Sequence, residues 1–126
     1  MSDLIYKDLS YKIVGFIYQI DNHLGFGHDE KIYADAFELL LKKEKISYKR
    51  ELYCPVMFEG ELISRKFLDF LIDEKIIVEI KVGNYRYKSV CSQLFEYLKN
   101  NKIKLGLIVR FSKHGVDIKR IVNLYD

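Results

Sequence analysis

The sequence is short of several residue types and patterns, and each shortage removes a class of protein. Its two cysteines, Cys54 and Cys91, form no C-x-x-C pair and no Cys/His cluster. That excludes a zinc finger, a disulfide scaffold and a four-cysteine iron–sulfur site. Proline occurs once and glycine seven times, without any biased segment, so collagen-like, linker and disordered readings fail. No apolar run approaches the ~20 residues of a membrane-spanning helix. The opening MSDLIYKDLS lacks the basic-then-apolar order of a signal peptide. Neither a G-x-S-x-G elbow nor a glycine-rich phosphate loop is present, so triad and phosphate-loop chemistry lack support. A cytoplasmic domain without membrane contact is the expectation.

What is present is a core and an uneven charge. The chain has 126 residues, 49% of them hydrophobic, which suits one domain over 1–126. Residues 1–80 carry 11 Lys+Arg against 15 Asp+Glu, whereas residues 81–126 carry 10 against 3. The basic final third fits either a polyanion partner or a solvated lysine-rich surface.

Apolar residues at Leu9, Ile13, Phe16/Ile17, Ile20 and Leu24 step by three and four, predicting an amphipathic helix that ends at Gly25. A second helix is expected from near His28–Asp29, with Tyr33, Phe37, Leu40 and Leu41 inward, fading at Lys42–Lys45. The period then changes to two. Ser47–Phe58 and Leu62–Ile72 read as strands around Glu59-Gly60-Glu61, and Pro55 marks an edge or a bulge. Asp73-Glu74-Lys75 turns into Ile76–Val82, a buried strand. Tyr87–Asn101 is helical, and Lys104–Phe111 and Val116–Leu124 are closing strands. The order ααβββαββ predicts an α/β (α+β) domain with a mixed sheet.

Charge inside a buried strand is costly and therefore informative. In IIVEIKV, alternation puts Ile77, Glu79 and Lys81 on one face, so an acid and a lysine project together from the most apolar strand. On the preceding strand the same alternation isolates Asp69 between Leu68 and Phe70, and the tight hairpin makes Asp69 and Glu79 neighbours. Two carboxylates with a lysine suit a hard cation such as Mg²⁺. The acid-x-Lys triplet also occurs at Asp29/Lys31, Asp73/Lys75 and Asp117/Lys119, and a structural Lys–Glu pair on a partly exposed face fits the spacing equally well.

Further motifs surround this pair. Gly27-His28-Asp29-Glu30-Lys31-Ile32-Tyr33 fits G-x-x-E-x-x-Y, and Gln93-x-x-x-Tyr97 follows the Glu79-Ile80-Lys81 strand. In this order, over about residues 5–123, the chain resembles the GxxExxY protein family of the PD-(D/E)XK nuclease-like superfamily. The resemblance implies a restriction-endonuclease-like fold, a mixed central sheet flanked by helices. It implies Glu30, Asp69 and Glu79 as holders of Mg²⁺ or Mn²⁺, Lys81 as the catalytic lysine and Gln93 at the edge of the site. Tyr33, one turn from Glu30, and Tyr97, one turn from Gln93, would support it; a buried aromatic core role fits Tyr33 as well. The chain departs from the pattern in having Leu68 before Asp69 in place of proline, His28 where a large apolar residue is usual and Asp21 where a histidine is frequent.

The expected function is hydrolysis of phosphodiester bonds in DNA or RNA by a metal-dependent nuclease. Gly83–Lys88 adds Tyr85, Arg86 and Lys88 beyond the active strand, a mixture of aromatic and basic residues that suits a single strand or frayed end of nucleic acid and that a solvated loop explains equally well. The alternative is an inactive nuclease-fold module that binds nucleic acid or a protein partner. A non-nucleic-acid anionic substrate is a third reading, against which the basic final third favours a long polyanion. A homodimer is expected, because a domain of this size offers little surface to grip a duplex.

Overall fold

The change from helical to two-residue periodicity falls where the chain passes from helix to strand. The structure, a computed structural model, describes residues 5–84 and 87–125. It contains α1 (Lys7–Leu24), α2 (Glu30–Lys43), β1 (Tyr48–Phe58), β2 (Glu61–Ile72), β3 (Ile76–Val82), α3 (Tyr87–Asn100), β4 (Leu105–Ser112) and β5 (Gly115–Val122). The order is the expected ααβββαββ. One five-stranded sheet runs β1-β2-β3-β4-β5. Only β3 and β4 are parallel, Val78 facing Leu107, and parallel neighbours require a crossover; α3 supplies it. No helix among the described residues is long and apolar enough to cross a membrane.

Helices cover both faces of the sheet. Ile13 and Ile17 of α1, Tyr33 and Phe37 of α2, and Phe70, Val78 and Ile80 of the sheet form one buried cluster. Leu94 and Leu98 of α3 pack with Leu68, Leu71, Ile77 and Ile108 on the other side. β3 is therefore covered on both faces, which is why it reads as an almost unbroken apolar run. Each fully buried Ile, Leu or Phe contributes about 1.5–3 kcal/mol.

One close approach seats α3. Gly106 lies on β4 beneath Leu94, and a Cβ at that position would lie 2.8 Å from Leu94 Cδ2 and 3.0 Å from its Cγ. Leu94 is fully buried, so it has little room to yield. Gly106→Ala is expected to cost about 1–3 kcal/mol by overpacking, measured as a lower denaturation midpoint. An unchanged midpoint would show that α3 can shift freely.

The hairpin of β1 and β2 is kinked where it matters. Its register passes from Arg50↔Phe70 to Leu52↔Leu68, leaving Glu51 and Asp69 out of the ladder, with Glu51 in the left-handed region at φ 59°. Strict alternation would put Leu68 and Phe70 on the same face. Instead Leu68 packs with α3 and Phe70 with α1 and α2, because the kink turns the outer hairpin relative to the inner one. Beyond it, β2 no longer pairs with β3, whose ladder with β2 covers only Phe70–Ile72. The outer hairpin runs on as a two-stranded ribbon. Pro55 lies in the edge strand, next to a register shift at Val56/Met57, as its missing N–H demands.

Candidate active site

The ladder between β2 and β3 stops at Phe70↔Val78, and carboxylates replace it one step further on. The Asp69 N–H donates to Glu79 Oε1 at 2.9 Å, and the Ile80 N–H donates to Asp69 Oδ2 at 2.6 Å. Each acid thus satisfies a backbone amide of the facing strand, as a buried amide requires. Lys81 Nζ lies 3.7 Å from Glu79 Oε2. The structure brings Asp69, Glu79 and Lys81 together where two strands part.

This site is overloaded with negative charge for its burial. The Glu79 side chain is only 7% exposed. Burial first, and then the charge of Asp69, pushes its carboxyl from an ordinary 4.5 up to about 8. Burial also raises the Asp69 carboxyl, opposed by the Ile80 amide, the Glu79 carboxyl and the Lys81 charge. Near neutral pH the pair therefore holds a proton: two desolvated carboxylates facing one ammonium cannot both ionise cheaply. A divalent cation relieves that imbalance. Mg²⁺ is commonly held by one or two carboxylates, its other positions going to water and substrate phosphate, and the donor set here fits that description.

Lys81 opens onto a cleft of about 770 Å³ between α3 and the β1–β2 ribbon, lined also by Gln93, Tyr97, Cys54 and Lys66. Burial raises the Cys54 thiol, opposed by the neighbouring Gln93 side chain. Burial likewise raises the Tyr97 phenol. Gln93 and Tyr97 therefore join Lys81 as the motif order implied. Cys54 and Lys66 had no signal in the sequence, because counting in twos from Asp69 puts Lys66 on the wrong face; the kink at Glu51 brings it round.

Other expected residues stand apart. Glu30 is the first residue of α2 and exposed, and α2 buries its apolar side on the face opposite α3. Among the described residues no three Asp, Glu, His or Cys side chains converge as a metal site, so Glu30 does not complete a three-carboxylate set with Asp69 and Glu79. Tyr33 has the core role. It is fully buried, stacks on Phe111 at 4.0 Å and donates its hydroxyl to the Gly25 carbonyl at 2.5 Å, pinning the link between α1 and α2. Lys88 is exposed near the start of α3. Tyr85 and Arg86 lie outside the described residues.

No curated protein matches the sequence. The crystal structure of SSO0001 is similar with a TM-score of 0.57 and 20% identity, the match covering 77% of this chain and 52% of that one. This chain thus spans about half of that structure's length, and at such identity the likeness concerns the fold. A family model described as the PD-(D/E)XK nuclease superfamily matches residues 7–121, a span that contains the parted strands, both carboxylates, Lys81 and α3, and the chain belongs to that superfamily.

Proposed function

We propose that the protein is a metal-dependent nuclease that hydrolyses phosphodiester bonds in DNA or RNA. The observation that carries this reading is the buried Asp69–Glu79 pair at the parting of β2 and β3, with Lys81 3.7 Å from Glu79. An acid pair that must keep a proton when alone is costly as mere scaffold, and it suits the binding of a hard cation. Asp69 and Glu79 would hold Mg²⁺ or Mn²⁺. Bound there, the metal supplies positive charge to the phosphoryl oxygens and acidifies water. Lys81, as an ammonium, donates a hydrogen bond from Nζ that orients the attacking water and shields the negative charge that develops as that water loses its proton to solvent. Gln93, on the wall of the same cleft, donates to a phosphate oxygen and fixes the strand for in-line attack. Lys88, and the basic final third more broadly, hold the phosphate backbone without reading sequence.

The test is a gel series with labelled DNA and RNA in EDTA, Mg²⁺ and Mn²⁺. Cleavage is expected only in the metal lanes. Uncut probes in every lane, together with clear retention of the probe, would overturn the catalytic reading in favour of a nuclease-fold binding module.

A further inference from the structure

The helix that walls the cleft carries two stripes. Leu94 and Leu98 are buried against the sheet. Gln93, Glu96, Tyr97 and Asn100 recur at steps of three and four and line the cleft, so α3 offers it hydrogen-bonding groups as well as a ring. Glu96, the acid among them, stands 3.7 Å from Lys99 Nζ. The facing wall contributes a cation. Lys66 of β2 lies opposite Cys54 of β1 in the ladder, and directly opposed residues share a face. Cys54 and Leu52 pack against the cluster of Leu94 and Leu98, so Lys66 faces the cleft that Lys81 also lines. The two lysines differ in what they meet. Lys81 has Glu79 beside it, whereas the exposed Lys66 forms no ion pair or hydrogen bond among the described residues. Cys54 ties Lys66 to the carboxylate pair: burial dominates its thiol, and the charges of Glu79 and Lys66 both bear on it.

We propose that Lys66 anchors the phosphate next to the scissile one, so that the substrate is a polynucleotide strand lying along this cleft and not an isolated phosphodiester. The word scissile rests on the nuclease reading; the hold of Lys66 on a strand in the cleft does not. A cleft lined by cations focuses their field on an anion. An isolated diester carries one phosphate, which belongs at the carboxylate pair and Lys81. A second cation further along the wall gains a partner only when the substrate carries a second phosphate. Lys66 is thus a positioning residue: it fixes where the strand lies, and Lys81 acts at the bond that breaks. Arg65, the neighbouring cation, alternates to the opposite face of the ribbon and serves as the control.

Fluorescence anisotropy in EDTA separates binding from cleavage. The probes are a short labelled DNA strand, its RNA equivalent and the duplex of the same sequence. Lys66→Gln should weaken binding about 10-fold, the value of one modest charge-assisted hydrogen bond. It should also lower the slope of log affinity against log salt by about 0.7 on a single strand or about 0.9 on a duplex. Lys66→Arg, which keeps the charge, should bind nearly as wild type, and Arg65→Gln should change affinity far less than Lys66→Gln. In Mg²⁺, Lys66→Gln should raise KM on the strand by the same factor with kcat near wild type. Hydrolysis of bis(p-nitrophenyl) phosphate, a diester with a single phosphate, should be unchanged. Circular dichroism checks that these exposed positions leave the fold unchanged. An unmoved Lys66→Gln, or an equal loss in Arg65→Gln, overturns the anchor even if the wild type cuts. An equal loss on the single-phosphate diester overturns it too, by placing Lys66 at the scissile phosphate. A Lys66-dependent hold on the strand without any cleavage keeps the anchor and removes the catalysis. Where probes bind only with metal, the KM of Lys66→Gln decides; failure both to bind and to cut removes anchor and nuclease reading together.

Discussion

Lys81→Ala is expected to lower metal-dependent cleavage by about 10²–10⁴-fold, the usual value of a positioned general acid–base group. The substitution removes the ammonium that stands 3.7 Å from Glu79 Oε2 but leaves Asp69 and Glu79 to hold the metal. Affinity for the uncut strand should change only modestly, because one cation among the 10 in residues 81–126 carries a small share of the salt-dependent binding. The measurement is a single-turnover rate beside an anisotropy titration on the same protein. A large fall in rate with nearly constant affinity assigns Lys81 to the chemical step. A rate within a few-fold of wild type would mean that water is handled by another group. An equal fall in affinity and rate would make Lys81 a phosphate anchor.

The carboxylate pair was legible because two independent signals converge on it. Charge at Glu79 within IIVEIKV is anomalous, and the short turn at Asp73–Lys75 fixes the pairing: Ile72 faces Ile76 and Phe70 faces Val78, so the next step sets Asp69 against Glu79. That step is where the backbone ladder ends and the two acids hold the strands through each other's amides, an arrangement no periodicity encodes. The helices and strands were equally open to reading, since each buries one apolar stripe or both faces. The kink was not, because Glu51 is exposed and unremarkable in sequence, yet its left-handed backbone reverses the faces of Leu68 and Lys66. Tyr33 gives a different lesson. Its spacing from Glu30 suggested a shared functional face, whereas its hydroxyl is spent on Gly25 and its ring on Phe111. Motif spacing located that tyrosine correctly and left its role open, because a buried ring and a supporting residue leave the same trace.

Glu79→Gln tests the electrostatics of the pair directly, and its largest effect should appear at alkaline pH without metal. The Glu79 carboxyl titrates at about 8 in the folded protein against an ordinary 4.5, so the native state binds the proton more tightly than the unfolded chain. Its contribution to stability is full below about pH 4.5 and is lost as pH rises toward 8, at a rate of up to about 1.4 kcal/mol per pH unit. Glutamine imitates the protonated acid: its oxygen can still accept the Asp69 N–H, its amide can donate to the Asp69 carboxylate, and it never ionises. Wild type and Glu79→Gln should therefore melt alike near pH 5, and the variant should melt several degrees higher near pH 9. Added Mg²⁺ reverses the ranking. A cation held by the native pair stabilises wild type by mass action, about 2.7 kcal/mol at a hundredfold excess over Kd, and glutamine removes one anionic ligand, so the variant should respond little. The experiment is a set of melting curves at both pH values, with EDTA and with Mg²⁺. A wild type with flat stability between pH 5 and 9 would deny the buried proton. An equal Mg²⁺ response in both proteins would place the cation elsewhere, and with it the chemistry proposed for Asp69 and Glu79.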